Sequence, residues 1–256
     1  MSFDSVLLYS ITSLELAVIA AALHKKIPRL LPVFFAYLIW TVVSDVAGNL
    51  VRGNSQIYSQ FFRYEMPLDS LLQFGVLVEL AWSVLRPMRN MLPRWTILVI
   101  SLLILVAGAI MWPFTSFTVA HGTRPDFMVL LRLQQTFSAL RIMFFLGLAA
   151  LSQVLAIGWR DRELQVATGL GFYSVMSMGA ALLNAHSTSS GQFHAIEDVV
   201  AFSYLCSLLY WVVSFMQKEA ARQEFSPRMR SLLLTVAGAA RANRLAIEDI
   251  RKDPRH

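Results

Sequence analysis

Long apolar runs alternate with short polar or basic stretches from residue 5 to about residue 216. A helix that crosses a bilayer needs about 20 predominantly apolar residues. The pattern predicts seven such spans, near 5–23, 32–51, 66–85, 95–112, 127–157, 164–183 and 196–216. The expected fold is therefore all-α: a seven-helix transmembrane bundle over residues 1–216, followed by a basic amphipathic tail over 217–256. Pro32 suits the first turn of the second helix, where its missing N–H has no partner to lose. Residues 52–65 read as a polar, aromatic linker ahead of the third span, with room for a short interfacial helix. The fourth span carries no charge and is bracketed by Trp95 and Trp112, which predicts a lipid-facing helix with aromatic residues at interface depth. The sixth is rich in small residues (Gly169, Gly171, Ser174, Ser177, Gly179, Ala180, Ala181), which permit close helix approach.

Polar residues inside these runs change the picture. An ionisable group in a membrane is costly unless it faces a partner or water, so each one marks a site to be tested. Glu15 lies in the first span, Asp45 and Asn49 in the second, Asp69, Gln73 and Glu79 in the third, and Arg132 and Arg141 in the fifth. Taking about 1.5 Å of rise per residue, the charges sort into two depths. Arg132 falls level with Asp45, Asp69 and Asn49, under a roof of Glu65, His186, His194, Glu197 and Asp198. Arg141 falls deeper, level with Glu79 and Glu15, as expected of buried ion pairs. Gln134, Ser138 and Arg141 share one helical face, whereas Arg132 points nearly the other way. The outer group is the candidate ligand pocket, and the inner group reads as structural pairing.

Composition agrees with the membrane reading. Hydrophobic residues make up 56% of the chain and charged ones 15%, with mean hydropathy +0.56, whereas soluble domains carry about 25% charged residues. The net charge of +6 comes from loops and the tail, a topology pattern rather than a nucleic-acid footprint. Lys25, Lys26, Arg29, Arg86, Arg89, Arg94, Arg160, Arg162 and the basic tail collect on one side. Arg52, Arg63 and Arg124 fall on the other. The positive-inside rule then predicts an outside N-terminus and a cytoplasmic C-terminus, in a cell inner membrane. In the tail, Met229, Leu232, Leu233 and Val236 recur at helical spacing, so anionic lipid or a protein is its expected contact.

The opening of the second span, PVFFAYLIW, resembles a recurring start to the second helix of uncharacterised bacterial multi-pass membrane proteins. It covers nine residues, holds no catalytic motif and implies no particular activity.

Several chemistries fail on the residues. The single cysteine, Cys206, excludes multi-cysteine metal or redox motifs and has no neighbouring histidine to activate it. The seventh span has no lysine for a retinal Schiff base. A metal-dependent hydrolase would use His194 and Asp198, four residues apart on one helical face, with His186 or Asp69 as third ligand. Two ligands with defensible geometry fall short of a zinc site, so no metal or cofactor is expected. The expected function is non-enzymatic: a sensor-like or accessory membrane protein with an outward polar pocket. Transport of a small solute or protons ranks second, and metal-dependent hydrolysis third.

Overall fold

The computed structural model describes residues 3–51, 53–84, 95–115, 125–151, 161–186 and 190–217. Among these the chain forms seven α-helices and a single-turn 3-10 helix at Ile27–Arg29. The α-helices are α1 Phe3–His24, α2 Pro32–Val51, α3 Ser55–Val84, α4 Thr96–Met111, α5 Pro125–Leu151, α6 Arg162–His186 and α7 Ser190–Met216. Four segments are long and apolar enough to cross a membrane: Pro32–Val51, Met128–Ala150, Arg162–Asn184 and Asp198–Met216. Tyr9–His24 and Thr96–Met111 are shorter apolar helices. The basic loop at Arg86, Arg89 and Arg94 and the tail beyond residue 217 lie outside the described residues.

The largest difference from expectation is α3. A single helix of 30 residues runs from Ser55 through Pro67 to Val84, where a linker was expected over 52–65. Asn54 starts it: its side-chain oxygen accepts the backbone N–H groups of Gln56 and Ile57 at 3.2 and 3.3 Å, which satisfies first-turn donors. At about 1.5 Å per residue, α3 is about 45 Å long, beyond the ~30 Å of a hydrocarbon core. Its polar N-terminal half therefore has room to project. The connection between α6 and α7 also tightens, because α7 begins at Ser190 rather than near residue 196.

Six helices close a ring in the order α1–α2–α3–α5–α6–α7, with α7 returning to α1. Helix α4 stays outside the ring, against α3 and α5. Leu98, Val99, Leu102 and Leu103 on α4 are exposed, whereas Ile104 packs with Leu77 and Leu140. This apolar outer face is the one the charge-free sequence predicts.

One end of the ring is sealed. Val18, Ala22, Phe34, Leu80, Leu164, Leu208 and Phe215 are fully buried together there. Phe34 meets Trp211 and Phe215 edge-on, with ring centroids 5.4 and 6.3 Å away. Two glycines let α6 fit between its neighbours. A Cβ at Gly169 would lie 2.3 Å from the Trp211 ring nitrogen on α7. One at Gly171 would lie 2.6 Å from the Phe145 ring on α5. Gly179 has nothing within 4 Å of such an atom, so tight packing explains the first two glycines and not the third.

Charges at the sealed end tie down helix termini. Val33 and Phe34, free donors in the first turn of α2, give their N–H groups to the two oxygens of Glu79 on α3, at 2.8 and 2.7 Å. A carboxylate there also meets the positive end of the α2 dipole. Arg162 donates to Gln165 Oε1 at 3.0 Å and to the carbonyls of Ser214 and Gln217 at 3.1 and 3.2 Å, holding the last turn of α7. Its guanidinium lies over the Phe215 ring, 5.8 Å from the centroid. Ser83 donates to Glu163 at 2.7 Å, linking α3 to α6.

Candidate functional site

Beyond the apolar seal the ring encloses a polar chamber of about 430 Å³, with wall residues from all six ring helices. Helices α2, α3, α5, α6 and α7 contribute residues at helical spacing, and α1 contributes Ile11. On α2 the stripe is Tyr37, Trp40, Thr41, Ser44 and Asp45; on α3 it is Glu65, Asp69 and Gln73. Gln134 and Arg141 come from α5, and Tyr173, Ser177 and Asn184 from α6. Helix α7 adds Tyr204 above the seal. A second cavity of about 400 Å³ shares Ile11, Ser44, Asp45 and Glu65 with the first and extends past Asn49, Tyr58 and Phe61. Asp45 and Glu65 therefore stand on the boundary between the chamber and this side cavity.

Arg141 is the pivotal group. Its side chain is 4% exposed. One nitrogen, Nη2, donates to Ser138 Oγ at 3.1 Å, while Nε and Nη1 have no hydrogen-bond partner. The guanidinium lies over the Tyr173 ring, 5.8 Å from its centroid, which fixes its plane from one side. Three carboxylates share its chamber. Glu65 accepts from Ser44 Oγ, Asp69 accepts from Gln73 Nε2 at 2.5 Å, and Asp45 is exposed in the chamber mouth. Among the described residues none donates a hydrogen bond to the Asp45 carboxylate.

Other polar atoms on the wall are also unpartnered: Trp40 Nε1, Gln73 Oε1 and Asn184 Oδ1. Leaving a buried polar atom unsatisfied costs about 1–3 kcal/mol. Several such atoms around one cavity are unusual, since most buried polar groups in a folded chain find a partner. Tyr204 donates to Glu15 Oε1 at 2.6 Å, joining the chamber wall to the buried carboxylate of α1, whose Oε2 has no partner.

The structure regroups the residues that the sequence singled out. Asp45 and Asp69 line the chamber, and Asn49 lines the side cavity. Arg132, expected opposite Asp45 and Asp69, is absent from both walls and keeps an unpartnered Nε. Arg141, expected with Glu79 and Glu15, takes that place instead. The pairing expected for Glu79 is corrected as well: its oxygens are occupied by the start of α2. Glu15 is bonded to Tyr204. Asp198, expected in the roof, is exposed in an apolar groove with Leu7, Phe172 and Phe202, facing away from the chamber. The side chains of His186, His194 and Glu197 lie outside what is described. Among the described residues no three His, Cys, Asp or Glu are placed to hold a metal ion together.

Sequence reasoning passed over Trp40, Tyr173, Asn184 and Tyr204 as wall residues. Their signal was phase: Tyr37, Trp40 and Ser44 share a face of α2 with Asp45, and Tyr173, Ser177 and Asn184 share one of α6. Comparison of the chain with family models, with curated proteins and with solved structures yields no match. Among the described residues the chain is all-helical, with four helices suited to a membrane and a ring of six around a polar chamber.

Proposed function

We propose that this chain is a non-enzymatic, multi-pass inner-membrane protein that binds a small polar ligand in its chamber, as a sensor or accessory subunit does. The observation that carries the reading is Arg141: a nearly buried guanidinium on the chamber wall, with two nitrogens that have no hydrogen-bond partner. In this reading all seven helices span the bilayer, the N-terminus is outside and the C-terminus is cytoplasmic. Lys25, Lys26, Arg29 and Arg162 gather at the sealed end, so the positive-inside rule turns the chamber outward. The basic tail then meets the anionic inner leaflet or a cytoplasmic partner.

Cysteine labelling tests the direction of opening. In a Cys206→Ser background, Asp45→Cys should react in intact cells with a charged, membrane-impermeant methanethiosulfonate. Reaction only after the inner membrane is breached would overturn the outward opening.

Solute transport is the second reading, favoured by the axial position of the chamber within a closed ring. Net flux in proteoliposomes separates it from sensing, which needs binding alone.

A further inference from the structure

We propose that the chamber selects a small zwitterion, with its carboxylate on Arg141 and its ammonium group among Asp45, Glu65 and Asp69. The proposal rests on reading the chamber as a ligand site and adds the chemical class of the ligand.

Charge balance supplies the first argument. Arg141 brings one positive charge to the wall, against the carboxylates of Asp45, Glu65 and Asp69. An anion alone would satisfy the free Nε–H and Nη1–H donors but would meet three carboxylates in the same low-dielectric space. A simple amine would suit the carboxylates and leave the buried guanidinium without an acceptor. One molecule bearing both groups answers both demands, and a planar guanidinium is shaped for a carboxylate.

The placement of the charges is the second argument. The acids stand on α2 and α3, with Asp45 and Glu65 at the boundary with the side cavity. Arg141 comes from α5 and is braced by Ser138 and Tyr173. Positive and negative groups thus belong to different walls of one chamber, which orients a two-ended ligand. Ser44 and Gln73 each bond one oxygen of Glu65 and Asp69, so those carboxylates are already held in position and each keeps a second oxygen. Tyr37, Trp40 and Tyr204 complete the wall with aromatic rings, whose faces attract an ammonium group.

Size sets the limit. Ligand pockets commonly enclose about 300–1,000 Å³, and at about 430 Å³ the chamber is near the small end. That fits an amino-acid-sized molecule.

The test uses the full-length purified protein in a fixed sodium chloride background, with thermal shift and quenching of tryptophan fluorescence as readouts. The probes are three zwitterions of increasing charge separation: β-alanine, γ-aminobutyrate and ε-aminocaproate. Butylamine and butyrate serve as single-charge controls. At least one zwitterion should bind saturably and about tenfold or more tighter than either control. Arg141→Gln and Asp45→Asn should each weaken that zwitterion by about tenfold or more. Asp45 is exposed, so its variant keeps the test open should Arg141→Gln fail to fold.

Butylamine binding as tightly as the zwitterions would overturn the proposal. So would indifference of zwitterion binding to Asp45→Asn, or no saturable binding by any of the three. Labelling of Asp45→Cys from outside, together with failure of all three zwitterions, would remove the ligand class and leave the outward chamber standing.

Discussion

Two arginines with nearly the same burial show how differently the two halves of the bundle use charge. Arg162 is 5% exposed and Arg141 is 4% exposed. At the sealed end, Arg162 holds a side-chain amide and two terminal carbonyls of α7 and lies over a phenyl ring. In the chamber, Arg141 has one serine hydroxyl and one tyrosine ring, with two nitrogens unmatched. Desolvating a guanidinium costs several kcal/mol unless bonds offset it. Arg162 finds such bonds inside the chain, and Arg141 is hydrogen-bonded only in part. The first charge is structural because its partners are helix ends that need donors. The second, in the function proposed above, is the group that meets the ligand. Active and binding sites commonly carry such a stability cost.

This contrast sets the order of expected mutational effects. Arg162→Met should be the most damaging, because it strips donors from the last turn of α7. Hydrogen bonds to charged groups contribute about 1.5–3 kcal/mol each, so a loss of about 3 kcal/mol should appear as a marked fall in the midpoint of thermal unfolding in detergent. A midpoint unchanged from wild type would show that the sealed end does not depend on this arginine. Gly169→Ala should come next, at about 1–3 kcal/mol for overpacking against a buried ring. Trp211 has no free space to yield, so its fluorescence spectrum should shift in the same variant. Should Gly169→Ala melt like the wild type, α6 and α7 are not packed this closely. Arg141→Met should be the mildest, at about 1 kcal/mol, as it removes a guanidinium that makes a single hydrogen bond. Destabilisation as large as that of Arg162→Met would place Arg141 among the structural charges.

Much of the bundle was legible in the spacing of apolar residues. The uncharged fourth run forms α4, which leaves the ring and presents its leucines outward, because a helix without charged groups has no reason to face a polar interior. The common phase of Gln134, Ser138 and Arg141 is a property of one helix, readable without any neighbour. The continuity of α3 was less legible. A polar stretch reads as a linker, yet Asn54 caps a helix that runs through it and past Pro67, which is exposed on its flank.

Pairings between helices were the least legible. Estimates of depth treated every helix as a straight rod with its ends at the membrane surface. They therefore put Glu79 beside Arg141. What Glu79 holds is decided by the packing of α3 against the first turn of α2, where Pro32 leaves Val33 and Phe34 as the next free donors. Arginine side chains are also long enough to move their charge away from the depth of their own Cα.

The sequence by itself determined the helical class and the suitability of several helices for a membrane. These depend on local periodicity and on the cost of exposing a backbone or a charge to hydrocarbon. Only the tertiary structure decided that six helices close a ring, that one end is filled by Phe34, Trp211 and Phe215, and that Arg141 faces Asp45 and Asp69 across one chamber. A hydrogen bond or an ion pair acts over a few ångströms, and that distance between helices is set by side-chain packing, which no spacing along the chain encodes.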